Sequence, residues 1–304
     1  MNVITRRFGW ILRKAGQRLS WVLSIRFFTS ALKAPIWHLL PSFTTSFYRA
    51  KRQRYNSVVL LIHEGLGDLA SIAAAIKDLS REHRQVYVVV RKEYFDAVSI
   101  VFNFGNNVKN ISAIEGKTKG YRISADQLRE LERYGHVIKV GSYDGDPIFR
   151  YPDSFYIKLG CNPSLAKTRF PFDVEKHGDI SIKTFLDRIG SRFIFVANET
   201  SSGNLSVDDL DLLRPSSTIV AFRSDVVVRG NQKVYDISKL EQKDFSRSLL
   251  NSLYACYLAE RVVVSDAGLF NILVRLENEI DIRVIWRGHS HSLNKEIYGK
   301  YIKS

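Results

Sequence analysis

The sequence is poor in cysteine, and its N-terminal segment lacks both acidic residues and a long apolar run. The two cysteines, Cys161 and Cys256, have no metal-ligand spacing and indicate no disulfide framework. A reducing cytoplasm is therefore the expected compartment. No part of the first 56 residues reaches the roughly 18 uncharged apolar residues that a transmembrane helix needs. Basic residues also interrupt any signal-peptide core in this segment.

Positive charge is concentrated before the first predicted strand. The net charge is +14, and the first acidic residue is Glu64. Eleven basic residues lie in 1–56, which leaves only +3 for the rest of the chain. A uniformly basic protein would indicate nucleic-acid binding, whereas a basic N-terminus on a nearly neutral body indicates an anchor.

Large apolar residues are interspersed with these charges, among them Phe8, Trp10, Trp21, Phe27 and Phe28. A cationic helix of this composition is able to lie in the headgroup layer of an anionic membrane. The alternative is a basic helix that packs on the body or on a partner. Nucleic acid is not the expected partner, because the chain has no recognised RNA-binding motif.

The first half begins with a predicted β-turn-α-β unit. The apolar run 57–62 predicts a buried strand, Leu69 to Leu79 predicts an Ala-rich helix, and 85–90 predicts a second strand. Continuous apolar strands joined by helices favour a parallel sheet. The chain is long enough for two such domains.

The turn after the first strand contains Gly65, Gly67 and Asp68. Two chemical interpretations are open. Gly65 to Ala70 fits the G-x-G-x-x-A fingerprint of dinucleotide-binding folds, which favours an NADP-dependent oxidoreductase. Alternatively, Asp68 at the helix start accepts the proton of an attacking sugar hydroxyl. In a third, purely structural interpretation, Asp68 only complements the helix dipole.

The second half repeats the pattern of a strand that ends in a polar turn. The run 192–197 predicts a strand that leads into a hydroxyl-rich loop, and 261–264 predicts another that ends at Ser265-Asp266-Ala267-Gly268. The N–H groups of Ala267, Gly268 and Leu269 are suited to hold a diphosphate. Asp266 is expected to cap the helix or to bind a ribose hydroxyl. We expect no bound metal, since the closely spaced His289 and His291 have no evident third ligand.

These two turns, taken in order, resemble the signatures of the heptosyltransferase-like glycosyltransferases (family 9). Gly-Leu-Gly-Asp before an Ala-rich helix resembles the N-terminal signature, and Ser-Asp-Ala-Gly-Leu-Phe-Asn (265–271) resembles the C-terminal one. The resemblance covers roughly 57–304. It implies a GT-B fold, an α/β architecture in which two Rossmann-like domains with parallel sheets face each other across a cleft.

The resemblance also implies roles for individual residues. Asp68 becomes the catalytic base, with Gly65 and Gly67 in the acceptor-side turn. A set of residues in the second half becomes the nucleotide-sugar site: Thr200, Ser201, Ser265, Asp266, Ala267, Gly268, Leu269 and Asn271. The sequence departs from the family at two points, because Asn271 replaces the usual histidine and the lysine after the hydroxyl loop is absent. Arg223, Lys233 and Arg287 are the candidates for the missing phosphate charge.

The sequence therefore predicts a metal-independent glycosyltransferase at the cytoplasmic face of a membrane, with no cofactor beyond its nucleotide-sugar substrate. Its acceptor is expected to be a lipid-linked or surface glycan of lipopolysaccharide or polysaccharide biosynthesis. The predicted organisation is a basic amphipathic membrane-associating segment (1–56), an acceptor domain (57–165) and a nucleotide-sugar domain (166–304). The alternatives are an NADP-dependent oxidoreductase and a catalytically inactive GT-B-like scaffold at the membrane.

Overall fold

A computed structural model describes residues 41–62, 65–112, 123–140, 151–190, 192–197, 218–221, 233–240, 244–265, 268–277, 279–286 and 295–301. The first half contains four strands: β1 (Ser57–Ile62), β2 (Gln85–Val90), β3 (Val108–Ser112) and β4 (His136–Val140). Its helices are α1 (Pro41–Arg52), α2 (Leu66–Ser71), α3 (Ala73–Glu82), α4 (Lys92–Phe102) and α5 (Ala125–Glu132).

The connection to the second half consists of α6 (Asp153–Lys158), a 3-10 turn (Pro163–Lys167), α7 (Val174–His177) and α8 (Ile180–Ile189). The second half has the strands β5 (Phe193–Ala197), β6 (Thr218–Ala221), β7 (Val234–Asp236), β8 (Arg261–Ser265) and β9 (Ile282–Ile285). Its helical elements are a 3-10 turn (Ile237–Leu240), α9 (Phe245–Leu258), α10 (Gly268–Leu273), α11 (Lys295–Tyr298) and a 3-10 turn (Gly299–Tyr301).

The strands form two separate parallel sheets. The first has the order β3-β2-β1-β4 and the second β7-β6-β5-β8-β9. In both sheets the chain starts in an inner strand, builds outward on one side and then crosses to the other. This order creates a topological switch point between β1 and β4 and another between β5 and β8, where open α/β sheets bind ligands. The predicted α/β class with parallel sheets is confirmed.

One predicted element differs in the structure. The helix expected over Leu69 to Leu79 is two helices, because Ile72 (φ −104°, ψ 11°) interrupts the helical backbone between α2 and α3. Residues 176 and 177 lie in the short helix α7, which the Asp173 side chain caps. Gly178 packs so closely on α9 that a Cβ atom there would lie 2.5 Å from the Tyr254 ring.

One continuous buried cluster joins the two halves. It includes Val58 and Leu60 of the first sheet, Phe195 and Val262 of the second, and Tyr156 of the connecting helix α6. Smaller clusters cover the other face of each sheet. The described parts of both halves therefore share one core. The predicted cleft stays a prediction, because the loops 141–150, 198–217 and 222–232 at the ends of strands lie outside the described residues.

Helix α1 packs on the body through a buried arginine. Arg52 is only 1% exposed and donates a 2.6 Å hydrogen bond to Glu82 and a 3.2 Å bond to the carbonyl of Gly160. Arg49 also pairs with Glu82. Arg52 is thus not accessible to a lipid surface. The residues still predicted to contact a membrane are 1–40, which lie outside the described residues, and the exposed basic residues of α1. Among the helices of the described ranges, none is long and apolar enough to cross a membrane.

Candidate functional site

Asp68 lies in the first turn of α2, just after the carboxyl end of β1. Gly65 precedes the helix in an extended conformation (φ −99°, ψ 137°). A Cβ atom on Gly65 would lie 3.4 Å from Oδ2 of Asp68, so the carboxyl group folds back over the turn that holds it. The β1 switch point therefore carries an acid whose side chain contacts its own glycine turn.

Burial raises the pKa of Asp68 from 3.8 to about 7, and a hydrogen bond with Tyr151 opposes part of this rise. Asp68 is half-buried, so its charged carboxylate loses part of its hydration in this position, which favours the neutral acid. A carboxyl group with a pKa near neutrality is suited to accept a proton during a reaction, because it is partly ionised and yet basic enough to hold the proton.

Tyr151 belongs to the segment that precedes α6, and its side chain packs against α2. Its hydroxyl group donates a 3.3 Å hydrogen bond to the carbonyl of Gly67 and forms a second, short hydrogen bond with the Ser71 hydroxyl. Burial raises the pKa of Tyr151 well above its usual value, and the negative charge of Asp68 adds to the rise. Tyr151 therefore stays protonated and is available as a donor. Sequence reasoning missed it, since no motif surrounds it.

Asn271 of α10 lies in the seam between the halves. It is buried, and its Oδ1 atom accepts hydrogen bonds from the Tyr298 hydroxyl at 2.8 Å and the Ser71 hydroxyl at 3.3 Å. The sequence predicts Asn271 as a nucleotide-sugar contact. In the structure this side chain also connects α2 of the first half to α10 and α11 of the second.

Two glycines permit the close approach of α2 and α10. A Cβ atom on Gly67 would lie 3.0 Å from Nδ2 of Asn271, and one on Gly268 would lie 2.9 Å from the side chain of Leu66. The two glycine turns predicted at the ends of β1 and β8 thus meet directly. On the side where a Cβ atom would project, the backbone of Gly67, the second glycine of the turn, faces Asn271 and Gly268.

Arg275 adds a buried positive charge behind this seam. It is 1% exposed and donates to the carbonyl of Ala166, and within the described chain no carboxylate pairs with it. Its charge acts on Tyr151, Tyr156 and Tyr298 instead. The guanidinium therefore acts electrostatically on the hydroxyl groups of all three tyrosines.

The other predicted site residues are distributed as follows. Ser265 is buried at the end of β8, and Leu269 is half-buried in the first turn of α10. Thr200, Ser201, Arg223, Asp266 and Ala267, predicted for the nucleotide sugar, lie outside the described residues. So do His289 and His291. Within the described ranges, no three His, Cys, Asp or Glu side chains are grouped as metal ligands.

Comparison with known proteins gives structural neighbours only. No protein-family model matches the chain, and no curated protein matches it. The bacterial iron-containing dodecameric glycosyltransferase TibC from enterotoxigenic E. coli H10407 is 12% identical with a TM-score of 0.44, and the match covers 75% of this chain and 57% of TibC. A second structure, the dodecameric iron-containing heptosyltransferase TibC in complex with ADP-D-beta-D-heptose, is 11% identical with a TM-score of 0.45. That match covers 75% of this chain and 58% of the TibC chain.

A third neighbour is the E. coli heptosyltransferase WaaC with ADP, which is 13% identical with a TM-score of 0.38. That match covers 81% of this chain and 96% of WaaC. The chain spans less than two thirds of the length of TibC. At these identities and TM-scores, the likeness assigns neither an activity nor a ligand to this chain.

Proposed function

We propose that the chain is a GT-B-like glycosyltransferase that moves a sugar from a nucleotide sugar to a glycan or lipid-linked acceptor. The observation that carries the proposal is Asp68, an acid with a pKa of about 7 at the switch point of the first sheet, directly beside the seam with the second. An acid in this position and with this pKa is suited to general-base work at neutral pH.

The proposed reaction is a single displacement. The Asp68 carboxylate takes the proton of an acceptor hydroxyl as its oxygen attacks the anomeric carbon of the donor. The bond between that carbon and the diphosphate oxygen breaks, and the nucleoside diphosphate leaves with the electron pair. We place the donor at the end of β8 and assign the N–H groups of Gly268 and Leu269 to the developing charge, and we propose no metal or cofactor for this step.

The remaining parts of the proposal rest on the sequence. Residues 1–40 carry basic and aromatic side chains suited to an anionic membrane surface, which favours a peripheral location on its cytoplasmic side. An acceptor presented at that surface would be a lipid-linked glycan, as in lipopolysaccharide or polysaccharide biosynthesis. Thr200, Ser201, Arg223, Asp266 and Ala267 remain the proposed donor contacts, together with Ser265 and Asn271.

The packing of Gly67 disfavours the dinucleotide alternative. In a dinucleotide fold the second glycine of the fingerprint lets the pyrophosphate approach the backbone. Here Gly268 and Asn271 lie on the Cβ side of this glycine, at 3.5 and 3.0 Å from a Cβ atom placed on Gly67, which narrows the approach. The scaffold alternative has specific support, because Asn271, at the position of the family histidine, makes hydrogen bonds that hold the two halves together.

Thermal unfolding with ADP-, UDP- and GDP-sugars and with NADP separates these functions. A ligand at about 100 times its Kd stabilises the protein by roughly 2.7 kcal/mol. We expect one sugar nucleotide to raise Tm and NADP to leave it unchanged. Stabilisation by NADP alone would support the oxidoreductase, and stabilisation by none of them would support the scaffold.

Transfer from the stabilising donor then tests the base. Asp68→Asn keeps the size of the side chain but removes proton acceptance, so turnover should fall roughly 100- to 10,000-fold. Donor binding should hardly change, because the donor is assigned to the second half. Asp126→Asn, a change at an exposed aspartate of α5, is the matched control and should keep full turnover. Full activity in Asp68→Asn would refute the role of Asp68.

A further inference from the structure

A buried arginine fixes α1 to two other parts of the fold. Arg52 is 1% exposed, and its Nη1 atom donates a 2.6 Å hydrogen bond to Oε2 of Glu82 at the end of α3. The same Nη1 atom lies 3.0 Å from Nε2 of His83, and Nη2 donates a 3.2 Å hydrogen bond to the carbonyl of Gly160. His83 is itself buried. The attachment of α1 therefore includes a contact with a buried histidine.

The contact with Arg52 determines which nitrogen of His83 carries the proton. A guanidinium group has N–H donors and no acceptor, so Nε2 of His83 has to accept the hydrogen bond from Arg52. The single proton of the neutral ring then lies on Nδ1, which donates a 3.0 Å hydrogen bond to the carbonyl of Tyr55. Both ring nitrogens are thus used, and the arrangement requires a neutral imidazole.

A second proton on this ring is incompatible with the arrangement. A protonated Nε2 would be a donor, and it would face the Nη1 donor of Arg52 across 3.0 Å with a positive charge on each side. We propose that His83 is an acid-sensitive latch for α1: protonation of Nε2 expels the Arg52 guanidinium from its pocket and loosens α1 from the body. Residues 1–40 join the body through α1, so the latch controls how firmly that segment is tethered. The proposal does not depend on glycosyl transfer.

The surroundings of His83 favour the neutral ring. Burial lowers the pKa of His83 below its usual 6.5, and the hydrogen bond to the Tyr55 carbonyl opposes part of this fall. Among the described residues, the charges that act on the ring are Arg52 of α1, which lowers the pKa further, and Glu82 of α3, which raises it. The Glu82 carboxylate is already shared by Arg52 and Arg49, so it is not an unoccupied partner for a charged imidazole.

The other elements packed around this pocket do not balance a second proton. Cys161, after α6, has its Sγ atom 4.0 Å from Nη2 of Arg52, and burial raises the pKa of this thiol to about 12, so it stays neutral. Asp78 of α3 acts on that thiol. Asn107, before β3, donates a 3.1 Å hydrogen bond to the carbonyl of His83 and is uncharged. Arg84, the next residue in the chain, is exposed. Movement of the Arg52 side chain is therefore the expected response to acid.

Hydrogen–deuterium exchange of the full chain tests the latch at about pH 7.5 and about pH 5.5, on either side of the usual pKa of histidine. Because folding lowers the pKa of His83, the latch should hold above pH 6.5 and weaken as the pH falls through the lowered pKa. After correction for the intrinsic pH dependence of exchange, protection of the α1 amides should fall roughly tenfold at the lower pH, as two like charges in contact near a protein surface repel. Protection of α8 should stay unchanged. Equal protection of α1 at both pH values overturns the proposal.

His83→Gln removes the titration and keeps an acceptor for Arg52, because the side-chain amide of glutamine has an oxygen acceptor and carries no charge. Protection of α1 in this variant should be the same at both pH values. His136→Gln is the matched control. The His136 ring stacks on Tyr55 with 4.5 Å between ring centroids, whereas the contact with Arg52 is made by His83, so this variant should keep the wild-type loss of protection. Persistence of the loss in His83→Gln, or its disappearance in His136→Gln, overturns the proposal.

NMR of the histidine rings in the wild-type chain keeps the proposal testable should His83→Gln fail to fold. Long-range 1H–15N spectra distinguish the two ring nitrogens, and the His83 signal is assigned through the backbone of the same residue. At about pH 7.5 we expect a neutral ring with its proton on Nδ1, which becomes charged over the pH range in which α1 loses protection. A proton on Nε2 at that pH overturns the proposal, since it excludes the hydrogen bond from Arg52.

Discussion

Gly67 of the first half and Gly268 of the second face each other so closely that a Cβ atom on Gly67 would lie 3.5 Å from the Cα atom of Gly268. This contact brings the two predicted glycine turns together. It also means that α2 and α10 approach each other to a distance that larger residues at these positions would prevent.

Gly268→Ala should therefore destabilise the protein. Its methyl group would lie 2.9 Å from the Leu66 side chain, and relief of such overpacking costs about 1–3 kcal/mol. Chemical denaturation measures this loss. Gly299→Ala is the matched control, because a Cβ atom there meets only Lys295, at an ordinary 3.8 Å. Equal stability of the two variants would show that α2 and α10 are not tightly packed in solution.

The sequence predicts the individual strands and turns of this fold better than it predicts how they pack against one another. Apolar runs predicted β1 and β8, and the glycines that follow predicted the turns, because strand pattern and turn chemistry are local. The contact between Gly67 and Gly268 depends on how two helices about 200 residues apart are oriented, which no local pattern encodes. Tyr151 was missed for the same reason. It acts on Asp68 only because the chain that enters α6 passes over α2.

Asp68→Asn should stabilise the protein in a pH-dependent way. The pKa of Asp68 is raised from 3.8 to about 7, so the folded state binds this proton more tightly than the unfolded state does. The wild-type carboxyl therefore contributes stability below pH 3.8 that is lost as the pH rises to about 7. Asparagine does not titrate and avoids this loss.

The difference in Tm between Asp68→Asn and wild type should consequently grow from about pH 4 to about pH 7 and stay constant above that. Differential scanning calorimetry across this range measures it. Asp126→Asn, at an exposed position, should show no such trend. A difference that shrinks as the pH rises would mean that the pKa of Asp68 is lowered by folding and that the carboxyl is stabilised as an anion.

Glu82→Gln should weaken the attachment of α1 to the body. Glu82 accepts the 2.6 Å hydrogen bond of Arg52, whose side chain is 1% exposed, and also pairs with Arg49. Removal of the negative charge leaves a buried guanidinium uncompensated, at a cost of about 2 kcal/mol in unfolding free energy. Asp126→Asn breaks an exposed ion pair with Arg129 and should change stability by less than about 0.5 kcal/mol. Equal effects would show that Arg52 is solvated.

Deletion of residues 1–34 should release the protein from anionic vesicles and leave its body folded. The deleted segment contains seven basic residues and no acidic one. Each basic residue near an anionic surface adds about 1 kcal/mol to binding, and the contribution falls as salt screens the charges. Helix α1 begins at Pro41 and retains the contact between Arg52 and Glu82, so the deletion does not touch the described core.

Co-sedimentation with phosphatidylserine-containing vesicles, with pure phosphatidylcholine vesicles as the control, measures the release. Binding of the full chain should weaken at high salt without vanishing, because the aromatic side chains also insert. Binding of the full chain that resists salt and yields only to detergent would instead indicate a membrane-spanning segment.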